Sequence, residues 1–359
     1  MKIKNLLFAF LAAATLTGCG LVTEEGDDTN CGLFVAFKYD YNLQRADMFK
    51  DHVGGVTLYV FDKDGKFIKT YENNNVPAMG TMVNGEYLYC MHIQDLPDGE
   101  YRFIALCNQK AYNATLVTQG PKYRRTNLSE GDPNEALMVA LDREDKVGNW
   151  YYVNTDAPMD TLWHGMTGSE AIKVDNHDQV VTTISLVRDT KMLTIGLHNL
   201  DEDERANIDT KDFEYYIIDD NGILAYNNDL LADDTLVYKP FRTWNSYSTD
   251  ETGVNVTDAT AHACITFNRL IWDQNPDNNA VLYIYNKKTN TDVAEINLTE
   301  FLAQGRNAYD LYAYSKQEYL DRSYDYYLDF FIKNDTWQYA EVRINVLSWV
   351  KRIQNTDLR

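Results

Sequence analysis

Proline, cysteine and basic charge are all scarce in this sequence, and each shortage narrows what the chain can be. Seven prolines among 359 residues, with 45% apolar content, exclude a proline-rich disordered chain and suit a folded one. Lysine and arginine total 33 against 54 acids, so the formal charge is −21, and −23 once Lys2 and Lys4 are lost with a leader. Phosphate contacts need a basic face, so nucleic acid is excluded as a partner. Docking of the protein surface onto anionic lipid is disfavoured for the same reason. None of the five cysteines lies in a CxxC pair and no two histidines have ligand spacing, so no metal site is expected. A nucleophile elbow, a P-loop, a dinucleotide glycine pattern and HExxH are all missing, so no cofactor and no enzyme activity are expected. No apolar run reaches the ~20 residues that a bilayer-spanning helix requires.

What is present begins at the first residues. Lys2 and Lys4 precede an eleven-residue apolar run, Leu6 to Leu16, and Leu16-Thr17-Gly18-Cys19 closes it. The run has the length and flanks of a secretory h-region. Its end looks like the bacterial lipoprotein box, in which the cysteine thiol is diacylated, the peptide is cut before it and the new amine is acylated. Cys19 is therefore the expected lipid-attachment residue. An ordinary signal peptide with an incidental cysteine is the plainer alternative, but all three leader regions and the box occur in the right order. Several acyl chains on Cys19 would hold the protein firmly at a membrane, whereas one holds it only marginally. The acidic stretch that follows, through Asn30, reads as a solvated tether.

Four cysteines then remain, Cys31, Cys90, Cys107 and Cys264, and an exported chain can pair them in three ways. Cys90 and Cys107 lie symmetrically about Pro97-Asp98-Gly99, so a direct hairpin would set them opposite each other. A crossing between two sheets would separate them, and buried structural thiols are the other reading.

From Cys31 onward the apolar period is two, not 3.6. Leu33, Val35, Phe37, Tyr39 and Tyr41 alternate along a first strand, and Val56–Phe61 turns through Asp62-Lys63-Asp64-Gly65 into Lys66–Tyr71. That turn is not an EF-hand, because a loop with Gly65 at its sixth position would start at Val60. Leu96-Pro97-Asp98-Gly99 followed by Tyr101 resembles the corner between the sheets of a sandwich. Residues 108–149 are polar and turn-rich, and a β-branched run from Val180 to Val187 ends at Arg188. The second half then repeats the first: Lys191–Leu197 answers the opening strand, and Phe213–Ile218 with Asp219-Asp220-Asn221-Gly222 and Ile223-Leu224 answers the hairpin. Such an ordered repeat implies two similar β-domains, although Asx-Gly hairpins occur in any β-protein. Caps at Asn297/Glu300 and Ser315/Glu318 signal two short helices. Val342, Ile344 and Val346 then alternate in the last strand before a polar tail from Lys351.

The paired acids at 201–204, 219–220 and 233–234 sit in expected turns and read as solvated loops rather than as a glycosidase pair. His164 beside Trp163 reads as loop packing rather than a base. Twenty-six tyrosines and six tryptophans are a stronger oddity, and core or cross-strand roles account for most of them. The sharper alternative is a sugar-stacking platform, with Trp150-Tyr151-Tyr152, Trp163 and Trp244 as its candidates.

Taken together, the lipoprotein cysteine, the acidic tether, Phe37–Asn42, Ala46-Asp47-Met48-Phe49, Val56–Lys66, Leu96–Tyr101, Leu186-Val187-Arg188 and Trp349 form a connected series. The series resembles the FimB/Mfa2 family of Bacteroidota fimbrial anchor lipoproteins, in order over nearly the whole mature chain. The resemblance implies an all-β protein of two tandem transthyretin-like or Ig-like β-sandwiches, with a lipid anchor in the outer membrane, at the base of a type V pilus. The expected division is a signal peptide over 1–18, a lipidated tether over 19–30 and sandwiches over 31–188 and 189–359. The implied partners are fimbrillin-like shaft subunits, met through an unpaired strand edge, for which Val342, Ile344 and Val346 are the candidates. A surface adhesin or glycan-binding lipoprotein of the same fold is the second reading.

Overall fold

The two-residue apolar period is realised as strands almost throughout. The computed structural model describes residues 31–307, 313–344 and 349–354, with strands numbered here in chain order. Sheet I runs β12 (Gln179–Ser185), β1 (Gly32–Lys38), β5 (Glu86–Ile93), β4 (Gly80–Val83). Sheet II runs β13 (Val187–Arg188), β10 (Leu162–Met166), β6 (Gly99–Asn108), β2 (Gly55–Asp62), β3 (Phe67–Asn73), with β11 (Ile172–Val174) also on β6. Sheet III runs β18 (Arg242–Thr249), β19 (Val256–Phe267), β14 (Lys191–Asn199), β22 (Asp325–Lys333), β23 (Thr336–Ile344), β24 (Trp349–Gln354). Sheet IV runs β21 (Thr291–Asn297), β20 (Val281–Asn286), β15 (Phe213–Asp219), β17 (Leu236–Tyr238), β9 (Tyr151–Tyr152). A small sheet V runs β16 (Ile223–Ala225), β8 (Met138–Leu141), β7 (Tyr123–Arg125). The expected all-β class is thus observed, with four short α-helices among the described residues: α1 (Phe49–His52), α2 (Tyr112–Thr115), α3 (Leu298–Ala303) and α4 (Lys316–Arg322).

Sheets I and II pack face to face over Leu33, Val35 and Phe37 on one side and Leu58, Val60, Phe103 and Trp163 on the other. The chain crosses between them at Pro97-Asp98-Gly99, where the Tyr101 hydroxyl donates to the Pro97 carbonyl at 2.7 Å, as the corner resemblance implied. This crossing separates Cys90, in sheet I opposite Ala36, from Cys107, in sheet II opposite Val56. Cys90, Cys107 and Cys264 carry free, buried thiols, and burial pushes the Cys107 thiol up to about 12. The turn at Asp62–Gly65 forms the expected hairpin, with Gly65 at φ +77° and the Asp62 carboxylate accepting from the Asp64 and Lys66 amides. Both helix caps also form: Asn297 accepts from the Glu300 amide at 2.8 Å and Ser315 from the Glu318 amide at 3.0 Å.

The second turn of the repeat behaves differently. After β15 the chain does not fold back as a hairpin; Asn221 is buried, donating to the carbonyls of Asn268 and Arg269 and accepting from the Tyr238 hydroxyl. That pinning directs β16 onto β8 in sheet V, and β17 takes the place beside β15. The outer face of sheet II (Tyr59, Phe61, Ile104, Leu106) packs on Tyr123, Val139, Leu141 and Leu224 of sheet V, and one apolar core continues from there into sheets III and IV. Arg125 ties the same layers together, donating to Thr57 at 2.8 Å and to Asn108.

The passage between the halves is buried and charged. Lys191 is fully enclosed and donates to the carbonyls of Leu320, Asp321 and Ser323 at 2.8, 3.0 and 2.8 Å, capping the end of α4. Arg269 forms a two-pronged pair with Asp321, both contacts 2.7 Å. Asp189 accepts from Asn228 at 2.8 Å, and burial raises its pKa. His164, on β10, donates from Nε2 to the Tyr226 carbonyl at 2.7 Å, so it is a structural tie across this passage.

Two outcomes follow from this packing. Leu58 is fully buried between sheets I and II, so Leu58→Ala should cost about 2–5 kcal/mol, read as a lower urea midpoint. A loss within the ~0.5 kcal/mol typical of surface changes would contradict that placement. Burial pushes His164 down to about 4, the Tyr226 carbonyl opposing the shift and Arg269 adding to it. The unfolded chain takes up this proton near pH ~6.5 and the native state only near 4. Stability from this group is therefore full above ~6.5 and declines as pH falls toward 4, by about 3 kcal/mol in total. His164→Gln should flatten that part of the acid slope in urea titrations at pH 7 and 4.5; an unchanged slope would refute the assignment.

Candidate functional site: the open strand edges

The lipid-attachment candidate Cys19 lies outside the described residues, as does Val346. The described chain enters at Cys31, whose carbonyl accepts from His92 Nε2 at 2.8 Å, and Gly32 then opens β1 with its amide on the Asp178 carbonyl at 2.9 Å. Gly32 is at φ +105°, and an added Cβ would stand 2.8 Å from the Ile93 carbonyl, so glycine is required for this entry. Whatever precedes residue 31 therefore leaves from the corner where β1, β5 and β12 meet. A cavity of 490 Å³ lies on the other side of β5, between β3 and β4, lined by Phe34, His92, Tyr71, Met79 and Met82 among others.

The expected partner edge is corrected by the strand register. Val342 and Ile344 lie on β23, which is paired on both flanks: Val342 stands opposite Leu328 of β22 and Lys351 of β24. The strand is internal, and Val342 is buried. Period-two alternation reports which face of a strand is buried; it carries no information about whether a neighbour occupies its backbone edge. Among the described residues the open flank passes to β24, which starts at Trp349 and runs into what reads in sequence as a polar tail.

The internal repeat locates a different edge. Sheet I in the order β12-β1-β5-β4 matches β22-β14-β19-β18 in sheet III, and β10-β6-β2-β3 matches β21-β20-β15-β17. Both closing strands, β12 and β22, lie parallel to their opening strands. In the second half, β23 pairs along the far flank of β22. In the first half, among the described residues, nothing pairs along the far flank of β12. Its Val181, Thr183 and Ser185 are exposed, and Ile184 is buried. The β-branched run Val180–Val187 signals this strand in sequence, but its edge position follows only from the fold.

Asp233 and Asp201 are held by residues far along the chain. Asp233 forms a two-pronged pair with Arg143, both contacts 2.7 Å, and Asp201 accepts from the Asn334 amide at 2.9 Å. Asp219 is raised to about 8 by burial, with Asp220 adding to it. Among the described residues, no group of three or more His, Cys, Asp or Glu is arranged to hold a metal.

The aromatic candidates separate. Trp163 is fully buried and meets Tyr39 edge-on at 5.8 Å, so it belongs to the core and to no surface platform. Trp244 lies on the edge strand β18, stacked on His262 at 4.8 Å. Trp150 is exposed, and Tyr151 and Tyr152 form the edge strand of sheet IV.

Known proteins share this architecture. A Bacteroides thetaiotaomicron protein provisionally described as polysaccharide-binding is 29% identical, with 91% of this chain and 99% of that one aligned and a TM-score of 0.68. A second from the same species, provisionally described as an adhesin, is 22% identical over 91% and 100% of the two chains, with a TM-score of 0.71. The fimbrial anchor protein Mfa2 of Porphyromonas gingivalis is 16% identical over 89% and 98%, with a TM-score of 0.58. No curated protein matches the chain in sequence. Residues 26–355 match the model of one family, and by that match the chain belongs to the fimbrillin-A associated anchor proteins Mfa1 and Mfa2.

Proposed function

We propose that this protein holds a fimbrial shaft to the bacterial outer membrane, with acyl chains on Cys19 at one end and a strand-mediated contact with a fimbrillin-like shaft subunit at the other. Residues 31–188 and 189–359 act as two sandwich units, and the first unit makes the contact. What supports the reading is the unequal treatment of two equivalent edges. The flank of β22 is filled by the chain's own β23, while the matching flank of β12 has no strand beside it among the described residues. Such a row is a template for an added strand, with backbone bonds supplying affinity and alternate side chains supplying selectivity. The twelve residues from Cys19 to Asn30 reach at most ~40 Å, so the first unit stays near the membrane. No catalytic role is proposed for any residue.

A second reading is surface glycan binding. The half-buried tyrosines on the outward face of sheet IV favour it, as does the polysaccharide-binding description of the 29%-identical protein.

Replacing Val181 with photoreactive benzoylphenylalanine should capture a shaft subunit on intact cells, whereas the same residue in place of Tyr247 on β18 should not. Capture at 247 without capture at 181 would sink the assignment of the edge. Cys19→Ala should move the protein from the membrane to the soluble fraction and shed fimbriae into the medium. Retention in washed outer membranes would contradict the lipid anchor.

A further inference from the structure

The outward face of sheet IV carries its aromatic side chains in cross-strand rows. On β15 and β20, buried Phe213, Tyr215, Ile217, Leu282 and Ile284 alternate with half-buried Tyr216, Tyr283 and Tyr285. Register sets Tyr216 opposite Tyr283 and Tyr283 opposite Glu295. The row on one side sets Glu214 opposite Tyr285 and Tyr285 opposite Asp292; the row on the other side runs through aliphatic Val281, Ile218 and buried Val237 and ends at Tyr152 on β9. The phenols are held in place. Tyr283 donates to Glu295 at 2.7 Å, Tyr285 to Asn290 at 2.5 Å and Tyr216 to Glu214. The Lys239 ammonium lies 4.4 Å from the Tyr152 ring centre and 5.2 Å from that of Tyr216, bridging the two.

We infer that this face is a binding platform for a neutral polysaccharide, laid across the strands from Tyr152 toward Tyr283; the inference rests on the glycan-binding reading and gives it a site. A pyranose ring presents C–H bonds on one face and hydroxyls around its rim. The C–H face is attracted to the negative face of a phenol ring, while the rim seeks hydrogen-bond acceptors and donors. This surface offers both: the ring face at 283, those at 152 and 216 shared with the exposed and movable Lys239 side chain, and the groups of Glu214, Glu295, Asp292 and Lys239 beside them. Tyr152 and Tyr283 stand three strand spacings apart, roughly 14 Å, long enough for several sugar units and too flat for a small ligand. Charge selects the class of polymer. Three carboxylates against one ammonium, on a chain of −21, repel uronate-rich or sulfated chains and leave hydroxyl-rich neutral ones.

The test uses the full chain in detergent, run in native gels cast with xyloglucan, galactomannan, mixed-linkage β-glucan or soluble starch, with polygalacturonate as the anionic comparison. At least one neutral polymer should retard the wild type, and polygalacturonate should not. Tyr216→Thr with Tyr283→Thr keeps strand-forming residues and should weaken retardation about tenfold or more, whereas the Tyr→Phe pair should stay close to wild type. Melting temperatures of both variants are compared with wild type, and Trp244→Ala on sheet III should leave retardation unchanged. If neither variant pair is folded, Lys239→Glu, at an exposed position, is read in the same gels and should change retardation. Retardation of the wild type that survives both the threonine pair and Lys239→Glu would overturn this site while leaving the glycan reading intact. Absence of retardation by every neutral polymer would overturn both.

Discussion

The parallel pairing of each half's first strand with its closing strand governs the rest of the architecture. Gly32 of β1 stands beside Gln179 of β12, and Met192 of β14 beside Asp325 of β22. Parallel neighbours cannot be joined by a tight turn, so everything between them becomes the crossover. In the first half that crossover holds β4 and β5 of sheet I, all of sheet II but β13, two strands of sheet V and β9; in the second it holds β18 and β19 of sheet III, β16, and all of sheet IV but β9. In both halves the closing strand lies on the flank of the first strand opposite β5 or β19, and what lies beyond it depends on where the chain goes next. After β22 the chain turns back as β23 and covers the flank. After β12 it is drawn inward: Leu186 is buried with its amide on the Lys38 carbonyl, and β13 joins β10 in sheet II. The change of sheet leaves the flank of β12 without a neighbour from this chain's described residues.

The change of sheet also delivers the chain into the buried charges that join the halves. Lys191 stands at the first position of β14, its ammonium spent on three carbonyls at the end of α4. Asp321, whose own carbonyl is one of the three, is paired with Arg269, and Asp189 is held by Asn228. Enclosing these groups costs desolvation energy that an apolar set would avoid, so the pairs are no measure of net stability, whereas breaking one of them leaves an uncompensated buried charge. A slip of β14 by one residue would leave the ammonium and several carbonyls unpaired in the interior. The parallel register of β14 with β22 is thereby fixed, and with it the position of β23.

Much of this was legible in the sequence. Period-two alternation, the Asp62–Gly65 turn, the Pro97–Tyr101 corner and both helix caps are local features, and each formed as read. The repeat also held at the level of strand order, although the turn after β15 did not, because buried Asn221 takes its partners from residues 268 and 269, far along the chain. The small strands Tyr123–Arg125 and Met138–Leu141 were missed inside a polar stretch; they are too short for alternation to register, and a strand from the other half stabilises them. The partner edge was misplaced for a more general reason. Val342 alternates cleanly because one face of β23 is buried, and an internal strand gives that signal as well as an edge strand does. Which flank of a strand is free is a property of the whole sheet. The tyrosine face was written plainly in the alternation of 213–218 and 281–286, but without the register nothing brought Tyr152, Tyr216 and Tyr283 together.

The direction of load follows from the same parallel geometry on the anchoring reading. Tension from a membrane tether reaches the fold at Cys31 and acts along β1. That strand is paired on both flanks, with β12 over seven positions and with β5 over four. Inter-strand bonds run across the strands, so a pull along the axis strains them together rather than one after another, as peeling would. Shaft binding at the far flank of β12 would place the load-bearing partner one strand from the tethered one. The force path would then cross a single parallel ladder and leave the charged passage to the second half outside it. On that reading the tasks would separate: the first half would carry tension, while the second, with the flank of β22 closed by β23, would be free to present the broad face of sheet IV.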